Sequence, residues 1–465
     1  MEHQRWVRLD NASNIFLAAR TATDTKVFRL TAEMSEEIDL LCLQKALDHI
    51  YDEYLLYHSV LRRGVFWYYL EMSDLRPKIT AETITPCTDL YHFDKKELLF
   101  RVLYHHKRIH LEVFHVLSDG TGASWFFEDL LKEYIRLRYP ERFAVHPGDR
   151  RKELDNQLQD SFQFYFRQKD TGNFTDSALS AYKSVIKTSR KAGKIALRLG
   201  KQTTAYINPS VTNKEKKHVY QIKGKKTPDH RPRAVEISLP VKEALQVSRK
   251  LHVSLTIYLT ALFFEAVRKA AHDFRATDTI VISVPINLRQ FYTSSSARNF
   301  FSTTYLEYTY GNKEDTVKEI CEELDKQLKK SLEKENLEAR LNRLISSEYN
   351  PLGRVIPRPI KDLVLKEINR RNNRKLTIAM SNLGKVVFPE SMSDMVKELF
   401  FQTSVVRPQF CMISYEERLT ITISSPFVET VIQKEFVRLL TAEGIDTTVA
   451  ANKVTAAELE GEKNG

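Results

Sequence analysis

The chain of 465 residues is 42% hydrophobic and 10% aromatic, carries four cysteines and has a formal net charge of +11. That length predicts two or three domains, with enough apolar content to fill a core in each. No window approaches the roughly eighteen uninterrupted apolar residues of a membrane span, and the opening "MEHQRWVRLDNASNIF" lacks the regions of a signal peptide, so a cytoplasmic protein without a transmembrane segment is expected. From Lys183 to Arg233, fifteen Lys/Arg stand against two Asp/Glu, a local balance of +13 that leaves the rest of the chain at −2. Charge confined in this way argues against a nucleic-acid-coating protein, and no nucleic-acid partner is expected.

In chain order, "FRLTAEMSEEIDLLCLQKALDHIYDEY" predicts a strand, a short loop and an amphipathic helix. Cys42, Cys87, Cys321 and Cys411 lie far apart without ligand spacing, predicting ordinary buried thiols and no zinc site or disulfide framework. The pair His105 and His106 has no carboxylate or cysteine at ligand spacing, so no metal is expected there. "IHLEVFHVLSDGTGASWFFEDLLKEY" then predicts a strand, a tight connection and a helix. His110, Glu112 and Phe114 alternate with Leu111, Val113 and His115 as in a half-buried strand. His115 therefore points inward, and an inward ionisable group needs a partner or a chemical role.

Next, "NPSVTNKEKKHVYQIKGKKTPDHRPR" mixes Pro, Gly, Asn and Lys without sustained period, predicting a basic linker or loop over 183–233 between halves at 1–182 and 234–465. It reads as a solvated connector, or alternatively as an electrostatic dock for phosphate-bearing ligands or an acidic partner. The second half opens with "RAVEISLPVKEALQVSRKLHVSLTIYLTALFFEAVRKAA", again strand then helix, and its "LTIYLTALFFEAVRKAA" is apolar almost all round, as in a buried core helix. "VKEICEELDKQLKKSLEKENLEARLNRLISS" predicts a charged helical region with a solvated face. Near the C-terminus "RLTITISSPFVETVIQKEFVRLL" repeats the strand-then-helix order, with Ser425-Pro426-Phe427 where the first copy has its His and Asp-Gly. A corner that needed a histidine for stability would keep a polar equivalent, so the comparison favours a chemical role for His115. An imidazole titrating near neutrality suits a general base.

The stretch "HVLSDG" resembles the HxxxDG signature of the coenzyme A-dependent acyltransferase superfamily. That superfamily includes chloramphenicol acetyltransferase, dihydrolipoyl acyltransferases, plant acyltransferases, the condensation domains of nonribosomal peptide synthetases and alcohol acetyltransferase-like proteins. "WVRLDNASNIF", "GVFWYYLE", "VPINLRQFYTSSSARNFFSTTYLEY" and "TIAMSNLGKVVFPE" resemble the bacterial alcohol acetyltransferase-like branch in the expected order. The resemblance implies an α/β fold of two chloramphenicol acetyltransferase-like sandwich domains, with mixed sheets flanked by helices, packed as a pseudo-dimer with a tunnel between them.

It also implies transfer of an acyl group, possibly acetyl, from acyl-CoA as co-substrate to an alcohol or amine, with no permanently bound cofactor. His115 would be the general base and Ser381 of "SNLG" the hydrogen-bond donor to the tetrahedral oxyanion, with Asn382 beside it as a structural residue. Asp119 would turn away from the substrate and pair with Arg289 of "VPINLR", fastening the halves. Gly120 and Gly122 leave room for a positive φ or for close approach of a ligand. Two departures matter. Condensation domains usually have a histidine where this chain has Phe114, which argues against peptide-bond synthesis, and no DFGWG stretch of the plant branch is found. The alternatives are a condensation-like module that works with an acyl carrier protein, docked on the basic linker, and a catalytically inactive binding paralogue.

Overall fold

The computed structural model describes residues 6–65, 67–143, 158–166, 217–311, 314–348 and 358–460. The first half comprises β1 (Trp6–Arg8), α1 (Asn11–Ala19), β2 (Val27–Met34), α2 (Leu40–Glu53), β3 (Ser59–Arg63), β4 (Tyr68–Met72), β5 (Thr80–Ala81), β6 (Phe100–His105), β7 (Arg108–Phe114), α3 (Gly120–Arg138) and α4 (Ser161–Phe166). The second comprises β8 (Arg233–Pro240), α5 (Val241–Lys250), α6 (Leu255–Ala270), β9 (Thr279–Asn287), β10 (Phe301–Thr309), α7 (Val317–Leu332), α8 (Lys334–Glu348), α9 (Arg358–Asn373), β11 (Ile378–Val386), β12 (Val396–Thr403), β13 (Gln409–Tyr415), β14 (Arg418–Ser425), α10 (Val431–Ala442), β15 (Thr448–Ala451) and α11 (Ala456–Glu460).

Two mixed sheets flanked by helices dominate: a five-stranded sheet in the order β12-β2-β7-β6-β5 and a seven-stranded sheet in the order β10-β9-β11-β13-β14-β8-β15. Strand β12 belongs to the second half by sequence yet pairs antiparallel with β2 of the first, from Val396 opposite Met34 to Thr403 opposite Phe28. Strand β13 binds the lobes in another way, because its alternating side chains feed different cores. Phe410 and Met412 enter the core around α6, whereas Cys411, Ile413 and Tyr415 enter the first-lobe core. A strand buried on both faces needs the near-continuous apolar run that β13 has.

The strand that delivers His115 is likewise buried on both faces, not half-buried as its alternation suggested. His110 is 3% exposed, Glu112 0% and Phe114 1%. The polar face is covered because Glu112 is neutralised by two arginines, accepting bonds of 2.7 Å from Arg29 Nε and 2.7 Å from Arg101 Nε. A buried charge with such partners imitates a polar surface position in sequence. The α6 helix is buried from Ile257 to Val267, as its all-round apolarity predicted.

Of the basic segment, residues 183–216 lie outside the described residues. The part from Lys217 onward is docked and not a free connector: Tyr220 N donates to Thr279 O at 2.9 Å, and Lys217 and Lys223 each pair with an acid, Glu307 and Asp273, at 2.7 Å. Cys87, Cys321 and Cys411 are buried free thiols, whereas Cys42 is only half-buried. Among the described residues no single helix is long and apolar enough to cross a membrane.

Candidate active site

His115 stands one residue past β7, in the turn that leads into α3. Its backbone N–H donates to the Lys26 carbonyl at 2.8 Å, and Leu117 N closes back on Phe114 O at 2.8 Å. The imidazole stacks on Phe16 with centroids 4.1 Å apart, meets the edge of Phe28 at 5.1 Å and lies 5.8 Å from Phe301. Rings from α1, β2 and β10 thus fix its plane. Its rotation is fixed by Asn299, whose Oδ1 lies 3.1 Å from His115 Nδ1.

The amide of Asn299 also sets the tautomer. Its Nδ2 donates to the His115 carbonyl at 2.9 Å and to Ser13 Oγ at 3.1 Å, which turns its oxygen toward the ring. Facing an acceptor, Nδ1 must carry the proton, and Nε2 of the neutral ring keeps its lone pair. Burial pushes the imidazole below its ordinary titration range, and the Asp119 charge only partly opposes this. The ring is therefore neutral at physiological pH and able to accept a proton at Nε2.

Asp119 directs both carboxylate oxygens elsewhere. Oδ1 caps α3 by accepting from Gly122 N at 2.9 Å, and Oδ2 accepts from Arg289 at 2.7 Å and from Phe300 N at 2.9 Å. Arg289 uses its other terminal nitrogen on the carbonyls of Ser296 and Arg298, both at 2.7 Å. The pair therefore ties the start of α3 to the loop that carries Asn299. Gly120 and Gly122 do not use positive φ; among the described residues the glycines that do are Gly311, Gly384 and Gly444. What excludes a side chain here is protein contact, because a Cβ on Gly122 would fall 2.2 Å from the Ala297 carbonyl and one on Gly120 2.5 Å from Leu383 Cδ2. At both glycines the second lobe makes a close approach, and Gly120 also lines the cavity that holds His115.

Ser381 reaches the same place from β11. It and His115 line one cavity of about 260 Å³ whose wall comes from both lobes. Among the described residues the Ser381 hydroxyl has no hydrogen-bond partner, while Asn382, which lines the same cavity, donates to Thr256 Oγ1 at 3.0 Å and accepts from Gly384 N at 2.8 Å. That turn, with φ +78° at Gly384, coincides with a register shift between Asn382 and Lys385. It bulges β11 just past Asn382, and pairing with β13 resumes at Lys385. A polar donor and a proton acceptor thus line one cavity between the lobes, an arrangement able to deprotonate a nucleophile and stabilise an oxyanion. Sequence reasoning missed Asn299, Phe16 and Ser13; all three sit in stretches it had singled out, but nothing in those stretches shows a partner so distant in the chain.

Comparison with solved structures gives the fold. The trichothecene 15-O-acetyltransferase of Fusarium sporotrichioides is similar at a TM-score of 0.58 and 11% identity, covering 94% of this chain and 95% of that one. Polyketide synthase associated protein 5 of Mycobacterium tuberculosis gives 0.55 and 12%, covering 93% and 97%. The first condensation domain of the calcium-dependent antibiotic synthetase gives 0.56 and 13%, covering 97% and 100%. No curated protein matches the sequence significantly. The sequence model of the alcohol acetyltransferase family matches residues 104–416, more than half of the protein and including His115, Asp119, Arg289, Asn299 and Ser381, so the chain belongs to the alcohol acetyltransferase family.

Proposed function

We propose that the protein transfers an acyl group from a coenzyme A thioester to an alcohol or amine, with His115 as general base and Ser381 as oxyanion donor. His115 Nε2 takes the proton of the acceptor as its oxygen or nitrogen attacks the thioester carbonyl. The carbonyl π electrons move onto oxygen, where the Ser381 hydroxyl meets the new charge. Collapse breaks the carbon–sulfur bond, and the imidazolium returns its proton to the departing thiolate. A seam cavity suits two substrates brought together from different sides, since holding them in register removes much of the entropic barrier.

The observation that carries this reading is the neutral, Asn299-held imidazole sharing a cavity with a serine hydroxyl that has no partner among the described residues. The test is thiol release from acetyl-CoA across a panel of alcohols and amines. His115→Ala should abolish turnover, and Ser381→Ala should lower kcat by about 10²-fold or more, the usual loss of an oxyanion donor. Turnover unaffected by either substitution would sink the mechanism.

A further inference from the structure

The cavity wall away from His115 carries a cation whose charge no described carboxylate neutralises by direct contact. Arg407 lies between β12 and β13 and lines the same cavity as His115 and Ser381. Its one hydrogen bond among the described residues, to the Asn373 carbonyl, is long at 3.4 Å, which leaves most of its five N–H donors without a described partner. Asp24, the acid in the same wall, is taken by Lys26 at 2.5 Å and accepts from Ser404 at 3.4 Å. Arg340 on α8 repeats the pattern, with one bond of 3.4 Å to the Thr303 carbonyl and no carboxylate partner among the described residues.

Strand β10 connects the two arginines to the reacting centre. Phe301, Thr303 and Tyr305 share a face of β10, and the first two line the cavity. Phe301 packs against His115, and Tyr305, four residues on, is about 13 Å further along the strand. Tyr305 lies in the field of both Arg407 and Arg340. Burial pushes both guanidinium groups below their ordinary range, and neither the Asp24 charge near Arg407 nor the Tyr305 phenol near both makes up the difference. Two guanidinium groups that make no carboxylate ion pair among the described residues, set beside a phenol, match a phosphate in charge and in donor geometry.

We propose that Arg407, Arg340 and Tyr305 form a phosphate subsite for the phosphate at the end of the donor's pantetheine arm. This rests on the acyltransferase reading and adds which part of the donor the enzyme grips. The long extended arm spans from a thioester beside His115 to the far end of this strand face. Because the arm is common to coenzyme A and to carrier-bound thioesters, the recognised chemistry is the phosphate itself.

The experiment compares acyl-pantetheine, acyl-phosphopantetheine and acyl-CoA as donors for one acceptor. The native enzyme should favour the two phosphorylated donors over acyl-pantetheine by about tenfold or more in kcat/KM, expressed in the donor KM. Arg407→Met should compress that ratio toward one, and Arg407→Lys should keep part of it. Arg340→Met supplies the same test should the Arg407 variants fail to fold, and calorimetry of phosphopantetheine against pantetheine reads the subsite without turnover. A native ratio near one with turnover intact overturns the subsite and leaves the acyltransferase reading standing. A preference confined to acyl-CoA, or a loss confined to the acceptor KM, also overturns it. No turnover with any donor overturns the reading beneath it.

Discussion

Replacing Arg289 by Met exposes what holds the two lobes together at the active site. The Arg289 and Asp119 side chains are 7% and 5% exposed, so their 2.7 Å contact is little screened by water. Removing one partner of such a pair costs about 3–5 kcal/mol, because the other charge stays buried. Asp119 would keep its bonds from Gly122 N and Phe300 N, which lowers the cost, while the carbonyls of Ser296 and Arg298 would lose a donor. The net expectation is a loss of about 4 kcal/mol. Asp119→Asn preserves a good N-cap acceptor but strands the guanidinium. The double variant leaves neither charge, so it should cost less than the sum of the singles by about 2 kcal/mol or more. Urea unfolding followed by tryptophan fluorescence is the assay, since the Arg289 guanidinium lies 5.2 Å from the centre of the Trp125 ring. Additivity within about 0.5 kcal/mol would refute the account of a coupled buried pair.

The pH dependence of kcat/KM should have an acid limb below the ordinary histidine value of 6.5, because burial disfavours the imidazolium of His115; a limb above 6.5 would contradict the buried neutral ring. By the same linkage, His115 contributes less stability as pH falls below 6.5, where the unfolded chain binds a proton that the folded one resists. Asn299→Ala should lower kcat by about ten- to a hundredfold through loss of the tautomer-setting bond. It should also move the acid limb lower, since the Asn299 bond favours the protonated ring; a lowered kcat with an unmoved limb would indicate damage elsewhere. Gly122→Ala should destabilise the protein by about 1–3 kcal/mol or prevent lobe docking, as its Cβ must displace the Ala297 carbonyl; thermal unfolding indistinguishable from the native protein would show that this contact yields freely.

Order and type of element were legible because they depend on local periodicity. The strand before His115, the helix after it and the all-round apolar α6 follow from spacing alone, and the second-half echo is carried by β14 and α10. What periodicity hides is partnership. Glu112 reads as solvent-facing until Arg29 and Arg101 arrive from other strands to neutralise it. The exchange of β12 into the first sheet is equally silent, because its sequence carries the alternation of any strand and not the identity of its neighbour.

At the site, His115, Asp119 and Arg289 were legible for different reasons. His115 stands at a strand end that spacing reveals, whereas Asp119 and its pairing with Arg289 were expected from the resemblance of "HVLSDG" and "VPINLR" to a known family. Positive φ at the glycines was not found: at Gly122 a carbonyl 175 residues away in sequence, at Ala297, stands where a Cβ would be, and no local feature distinguishes that from a turn. Asn299 shows the limit most clearly. It is 2% exposed and looks like any polar residue in a loop, yet it joins the His115 ring, the His115 carbonyl and Ser13. Its position is fixed by the Asp119–Arg289 pair, whose bonds reach the backbone on both sides of it, at Arg298 and Phe300. The ion pair that looks structural therefore holds the residue that sets the proton position on His115, and on the proposed mechanism the seam between the lobes is part of the site rather than its frame.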